Sequence, residues 1–437
     1  MKYLLVFITI VLGLIQNPVF AQASFDAKLK AKEVIGLFQH EKFAEAYDQM
    51  SAIMKRKIDV EQLQGIWDGL IMAYDTIQSL GEPEVTEKDT LTVTVTPVHF
   101  NKMKLGLQLT FEPSHKVCGI FIVPLTYPYQ PADYVNTSRF YEVKKNVPDA
   151  AFPSEGVLTV PNGNKKFPLI IIVGGSGPTD KDLTMGSNKI YKDFAWGLAA
   201  KGIAVYRYNK RTVQFGAELA KNKNLTVNEE YLLDLKLIVK MLSKKDEIDA
   251  SQIYIMGHSE GGYLLPYFAK NLSGIKGYIS LAGNYSKLAE LVPKQISYLA
   301  LQSKNIEEKT LVLNEMPKAL YARDRFTKES PDDSLPFGFT TAYLWHLNEN
   351  SPQKIGKALM KKKVFFLQGG RDYQVPPEEL ELWKMTLAQS TEATFKMYPN
   401  LNHIFLSGTG LSNPDEYEKP GNVPEEVIND IVAWISH

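Results

Sequence analysis

The spacing of apolar side chains changes twice along this chain. Between residues 25 and 77 they recur every three or four positions: Leu29, Val34, Leu37 and Phe38, then Phe43, Tyr47 and Met50, then Leu63, Ile66, Trp67 and Leu70. That period puts them on one face of a helix, so two or three amphipathic helices are predicted. From residue 90 the period is two. Leu91, Val93 and Val95 alternate with threonines, and Leu105, Leu107, Leu109 and Phe111 alternate again, as half-buried antiparallel strands do. Helices followed by strands predict a small α+β unit over residues 22–124.

Pro124, Pro128 and Pro131, set among tyrosines and polar residues, mark a linker over residues 125–138. Beyond it the pattern changes again. Short apolar runs at residues 140–143, 157–160, 169–173, 203–206, 253–256, 278–281, 364–367 and 394–397 read as strands. Helical spacing fills residues 187–200, 229–242, 263–271, 377–388 and 424–436. Continuous apolar strands alternating with helices predict an α/β fold over residues 139–437, a mostly parallel sheet with helices on both faces. Residues 285–360 break this rhythm and are too many for a plain loop, so a helical cap inserted between two strands is expected there.

Lys2, the apolar stretch 3–15 and small residues at Val19, Ala21 and Ala23 have the form of a cleavable signal peptide over residues 1–21. The apolar stretch is too short to span a bilayer, so no stable membrane insertion is expected and the mature protein is predicted to be secreted or periplasmic. Forty-nine basic and 49 acidic side chains balance, which gives no field to recruit nucleic acid. Cys118 is the one cysteine, so an intramolecular disulfide and a cysteine metal cluster are both excluded. Within its apolar run it reads as a small buried hydrophobe.

The candidate chemistry begins at Gly257-His258-Ser259-Glu260-Gly261-Gly262, between a strand and a helix. A sharp turn there would lift the Ser259 hydroxyl out of the sheet. A carboxylate, Asp372, follows Gly369-Gly370-Arg371 after the run 364–367, and so lies at the carboxyl end of a parallel strand, where ligands gather. His403 follows the last strand by a short loop. Of seven histidines, His40, His99 and His115 lie in the other unit, His346 in the cap and His437 at the terminus; His258 is expected to point away across the elbow. His403 is therefore the candidate base, since imidazole titrates near neutral pH. The glycine-rich turn 174–180 after the run 169–173 can bring the amide of Ser176 to a substrate carbonyl, with the amide of Glu260 as the second oxyanion donor. A phosphate cradle is the rival reading of that turn, but the lysine and hydroxyl of a P-loop are not in place.

Taken together, Gly-Gly-Ser-Gly-Pro-Thr-Asp at 174–180, Tyr206-Arg207-Tyr208-Asn209-Lys210-Arg211 and the Ser259 motif resemble the α/β-hydrolase superfamily over residues 140–437. Their text is similar to a branch of secreted bacterial esterases and serine-peptidase-like hydrolases. In that branch the middle segment reads Tyr-Asp-Lys-Arg; Asn209 stands where aspartate is expected, which puts a local salt bridge in doubt. The order Ser259, Asp372, His403 matches the triad order of the superfamily. The N-terminal unit resembles a small domain of unknown function found ahead of such hydrolases, similar to cystatin-like cones.

The resemblance implies a serine hydrolase that cleaves carboxylic esters through an acyl-enzyme on Ser259, with no cofactor and no metal. Its expected partner is a small-molecule acyl substrate: an ester, or an amide or thioester on the same triad. A peptidase would need an acidic anchor for the substrate amine, for which the cap offers Glu290, Glu307, Glu308 and Glu315. A non-catalytic binding protein on this scaffold would not need all three triad groups.

Overall fold

The structure, a computed structural model, describes residues 25–100, 104–123, 125, 129–303 and 305–436. The signal-peptide expectation lies outside the described residues. The chain divides between residues 126 and 127 into two units.

Among the described residues the N-terminal unit has four helices, Ala27–Gln39, Phe43–Asp48, Ala52–Lys55 and Val60–Tyr74, where the apolar spacing predicts two or three. The short helix Ala52–Lys55 arises because Met50 leaves the preceding helix and bridges to Val117, and Ser51 then caps a new short turn. Asp26 caps the first helix, and Asp59 with Gln62 forms a reciprocal capping box on the last. The strands Ile77–Leu80, Glu84–Lys88, Leu91–Phe100, Lys104–Phe111 and Val117–Val123 form one antiparallel sheet. In the strand Leu91–Phe100 the buried positions are Thr94, Thr96, Val98 and Phe100, so Val93 and Val95 lie on the half-buried face. Threonine tolerates that burial because it is β-branched, and Thr94 Oγ1 donates to Leu109 O. Cys118 is half-buried rather than interior.

In the second unit all eight predicted strands are present: β1 (Phe140–Lys144), β2 (Gly156–Pro161), β3 (Phe167–Val173), β4 (Ala204–Tyr208), β5 (Ile248–His258), β6 (Gly277–Leu281), β7 (Lys363–Gly369) and β8 (Ala393–Tyr398). They lie in the order β8-β7-β6-β5-β3-β4-β2-β1. The pairs β1–β2 and β2–β4 are antiparallel and the rest are parallel. Continuous apolar strands follow from burial on both faces. In β3, Leu169, Ile171 and Val173 enter one core while Ile170 and Ile172 enter the other. The helices Ile190–Ala200 and Glu425–Ser436 cover the second face; Leu233–Leu242, Leu265–Asn271 and Glu378–Thr386 cover the first.

Between β6 and β7 the chain leaves the sheet and builds the helices Leu288–Gln302, Ile306–Leu313, Met316–Asp324 and Thr341–Glu349. The carboxyl ends of β3, β5, β7 and β8 lie along one edge of the sheet, which is where the glycine-rich turn, Ser259, Asp372 and His403 are attached. No helix among the described residues is long and apolar enough to cross a membrane.

Trp383 anchors the helix after β7 to that edge. Its ring packs on Phe366 of β7 and Tyr285, and its indole N–H donates to Gly283 O at 2.9 Å. Trp383→Ala should destabilise the protein by about 3–5 kcal/mol, the range for emptying a buried aromatic site. Urea unfolding measures this, and a loss below about 1 kcal/mol would contradict this packing.

Candidate active site

Ser259 sits at φ +54°, ψ −118°, a backbone conformation that non-glycine residues rarely adopt. Neighbouring glycines permit it. A Cβ on Gly261 would lie 2.6 Å from the carbonyl oxygen of Val173, and one on Gly257 would strike the carbonyl of Gly261. The turn is held by Ser259 N–H to Leu281 O at 2.9 Å and Tyr263 N–H to Ser259 O at 2.9 Å. Ser259 is partly exposed, at the mouth of a small cavity.

Asp372 and His403 meet as the sequence predicts. The loops after β7 and β8 lie backbone to backbone, with Gly370 N–H donating to Tyr398 O and Arg371 N–H to Leu401 O. His403 Nδ1 is 2.7 Å from Asp372 Oδ2, which also accepts from Gln368 at 3.1 Å. Asp372 Oδ1 accepts from the amides of Gln374 and Val375, both at 2.8 Å. The carboxylate is thus fixed from both sides and orients the ring so that Nε2 faces away from Asp372. Asn402 Oδ1 accepts from the amides of Ile404 and Leu406 and so shapes the loop that carries His403. Among the described residues Ser259 Oγ makes no hydrogen bond; the Asp–His half of the relay is closed and the Ser–His half is open.

The glycine-rich turn passes close to the serine, where a Cβ on Gly175 would lie 3.1 Å from Ser259 Cβ. Ser176 and Glu260 line the same cavity as Ser259. Among the described residues no acceptor engages either backbone amide. Two N–H donors of this kind beside a serine hydroxyl have the arrangement that an oxyanion would require.

Some participating groups are not apparent from sequence. His258 is not outside the site: its ring stacks obliquely on that of His403, centroids 4.8 Å apart, and its Nε2 lies 3.1 Å from His403 O. Its Nδ1 lies 3.1 Å from the Tyr191 hydroxyl. Because a carbonyl only accepts, Nε2 carries the proton and Nδ1 accepts from Tyr191. Burial, with His403 adding to it, pushes the His258 pKa down to about 3.

The second unexpected group is a buried cluster of Lys210, Glu230, Tyr231, Glu260 and Tyr343. Lys210 Nζ pairs with Glu230 Oε1 at 2.9 Å, and Glu260 Oε1 lies 2.8 Å from the Tyr231 hydroxyl and 2.7 Å from the Tyr343 hydroxyl. Burial holds the Glu260 carboxyl above the usual range, with Glu230 adding and Lys210 opposing. The sequence signal for this cluster is Lys210-Arg211 directly after a buried strand. Arg211 itself pairs with Asp234, and Arg207 with Asp182 and Glu142. Asn209 makes no salt bridge; its Oδ1 accepts from Lys181 N–H at 2.8 Å, a bond an aspartate would also make.

A family model described as "Serine aminopeptidase, S33" matches residues 185–409, and one described as "Protein of unknown function (DUF3887)" matches residues 31–120. Esterase EstD of Thermotoga maritima is 32% identical over 439 residues, spanning 99% of each chain. Among solved structures, an esterase of Pyrococcus furiosus aligns with 71% of this chain and 98% of its own, at 14% identity and a TM-score of 0.42. A puromycin-hydrolysing peptidase of Mycobacterium tuberculosis aligns with 80% of this chain and 46% of its own, at 14% identity and a TM-score of 0.44.

The burial of neutral His258 sets a pH dependence. Its folded pKa of about 3 lies below the unfolded value near 6.5, so between those values only the unfolded chain takes up the proton. Stability should therefore fall as pH falls through that window, by about 1.4 kcal/mol per pH unit from this group alone. Urea unfolding at pH 7.5 and 4.5 should show His258→Gln losing roughly 2.7 kcal/mol less than the parent. Equal losses would mean that His258 is not the buried neutral group described.

Proposed function

Because this chain belongs to the α/β-hydrolases, in the family described as serine aminopeptidase S33, we propose that it is an esterase that cleaves carboxylic esters through an acyl-enzyme on Ser259. Ser259 Oγ attacks the acyl carbonyl while His403 Nε2 takes its proton, and the C–O bond electrons move onto the carbonyl oxygen. The amides of Ser176 and Glu260 receive that oxyanion. Collapse expels the alcohol, protonated by His403, and water activated by the same nitrogen releases the acid. Asp372 holds the ring in one tautomer and stabilises the imidazolium. The observation that carries this reading is the 2.7 Å hydrogen bond from His403 to Asp372, which leaves Nε2 for the serine of the elbow. Substrate binding would close the Ser–His contact, as catalytic hydrogen bonds tighten in the Michaelis complex.

The cavity supports an ester with a short acyl group. Its volume is about 70 Å³, and Leu288, Leu291, Leu347 and Val375 form its apolar wall. Three of these come from the cap helices Leu288–Gln302 and Thr341–Glu349. Polar groups on the lining are uncharged amides and hydroxyls apart from Glu260. That carboxyl lies within hydrogen-bond distance of two tyrosine hydroxyls and burial raises its pKa, which suits it poorly to binding a substrate ammonium. Glu290, Glu307, Glu308 and Glu315 do not line the cavity. The full-length likeness to an esterase points the same way. The family description favours amide hydrolysis as the second reading.

On a short-chain aryl ester, Ser259→Ala should lower kcat by about 10⁶-fold and abolish labelling by a fluorophosphonate probe. Near-native turnover in that variant would refute the acyl-enzyme. Aryl-ester turnover should exceed aminoacyl-amide turnover in the same preparation; the reverse order would establish the peptidase reading instead.

A further inference from the structure

Ser176 lines the cavity, while the carbonyl of Gly175 just before it faces buried side chains. Gly175 O accepts from Lys210 Nζ at 2.8 Å and from the Tyr231 hydroxyl at 2.8 Å. In a trans peptide the C=O and the following N–H point in opposite directions. Pinning the oxygen inward therefore aims the Ser176 N–H outward, towards the space beside Ser259. The pin is needed because Gly174 and Gly175, which let the turn approach the serine, leave that plane with little resistance to rotation.

Lys210 is 1% exposed, and each of its three N–H bonds has an acceptor: Gly175 O, the Tyr231 oxygen at 2.7 Å and Glu230 at 2.9 Å. Glu230 and Tyr231 are adjacent, yet both reach this point. They lie on a π-turn, Asn228–Leu232, whose wider winding reduces the angle between successive side chains, and such turns concentrate at functional sites. If Glu230 and Glu260 were both ionised, the Tyr231 and Tyr343 hydroxyls would each have to serve two acceptors. A proton on Glu260, donated to the Tyr231 oxygen, frees Tyr231 to donate to Gly175 O and leaves the Tyr343 hydroxyl between Glu230 and Glu260.

We propose that Lys210, with Tyr231, is a positioning residue for the oxyanion hole: it clamps the Gly175 carbonyl and thereby aims and polarises the Ser176 amide. The inference rests on the proposed role of that amide. The ammonium draws electron density through the peptide group and makes the N–H a stronger donor.

The test is the double variant Lys210→Met with Glu230→Gln, which removes the ammonium without leaving a buried carboxylate unpaired. On the aryl ester, kcat should fall about 10²–10³-fold, the loss for deleting one oxyanion donor. KM should change by less than about threefold, because the clamp acts only once charge develops. Affinity for a trifluoromethyl ketone should fall with kcat, since Ser259 adds to its carbonyl and leaves an oxyanion in the hole. Affinity for the product acid should not change. A packing role alone would weaken ketone and product equally, and that result would overturn the proposal.

Tyr231→Phe keeps the fold if the double variant does not, and should cost about tenfold in both kcat and ketone affinity. Unchanged values in either folded variant overturn the clamp. If Ser259→Ala is inactive in the same assay, such a failure counts against Lys210 alone; retained turnover in Ser259→Ala counts against the triad.

Discussion

At the carboxyl end of β5 three stretches of backbone approach more closely than side chains allow. Gly261 lies against the carbonyl of Val173, and a Cβ on Gly262 would be 2.7 Å from Gly283 Cα. The rest of the site depends on this packing. It forces the chain through a reversal within one residue, and that residue is Ser259, left at positive φ with its hydroxyl turned out of the sheet. Such strain costs of order 1–3 kcal/mol and persists only where surrounding structure over-determines it. Here the over-determination comes from hydrogen bonds into β6 on one side and a helix start on the other. The same approach brings the glycine-rich turn beside the serine and leaves the amides of Ser176 and Glu260 without acceptors among the described residues.

A site so buried must manage charge with little help from water. It does so by pairing. Asp372 is surrounded by donors, His258 is held neutral between a hydroxyl and a carbonyl, and Lys210 is matched by Glu230. Glu260 is the second carboxyl near one ammonium, and burial, with Glu230 adding and Lys210 opposing, raises its pKa above the usual carboxylate range. None of these groups needs to be spent on fold stability, since a buried ion pair is often no better than an apolar pair of the same size. Their common property is that each fixes a specific atom of the proposed reaction machinery: the His403 ring, the His403 backbone or the Gly175 carbonyl.

The parts legible in the sequence are those whose signal is local. The inner strands of the large sheet are marked by apolar runs because burial on both faces removes polar residues from them, whereas in the edge strands β1 and β8 most residues are not buried and only part of each is apolar. Ser259, Asp372 and His403 were legible because each follows directly on a strand, so chain position fixes place in the fold. The remainder depends on contacts between distant segments. Lys210 meets Tyr231 21 residues away, and His258 reaches the carbonyl of His403 145 residues away; no period or motif encodes either. In the N-terminal unit, period two was visible in the strand Leu91–Phe100, but its buried phase runs through Thr94 and Thr96. Alternation shows that a strand has two faces, and the neighbours decide which one is covered.

The cap ties substrate fit to catalytic geometry through one helix. Leu347 of Thr341–Glu349 stands in the cavity wall, while Tyr343, one turn earlier, bridges Glu230 and Glu260 behind the proposed nucleophile. Residues four apart lie on the same face of a helix, so the wall and the bridge move together. A displacement that admitted a bulkier acyl group past Leu347 would carry the Tyr343 hydroxyl away from the carboxyl pair. Glu230 would then lose a donor, Lys210 would be drawn more strongly to Glu230, and its hold on Gly175 O would loosen. On this arrangement an ill-fitting acyl group is penalised twice, in binding at the wall and in stabilisation of the oxyanion. Chain length would therefore be read in kcat as well as in KM, from a helix that touches no reacting atom.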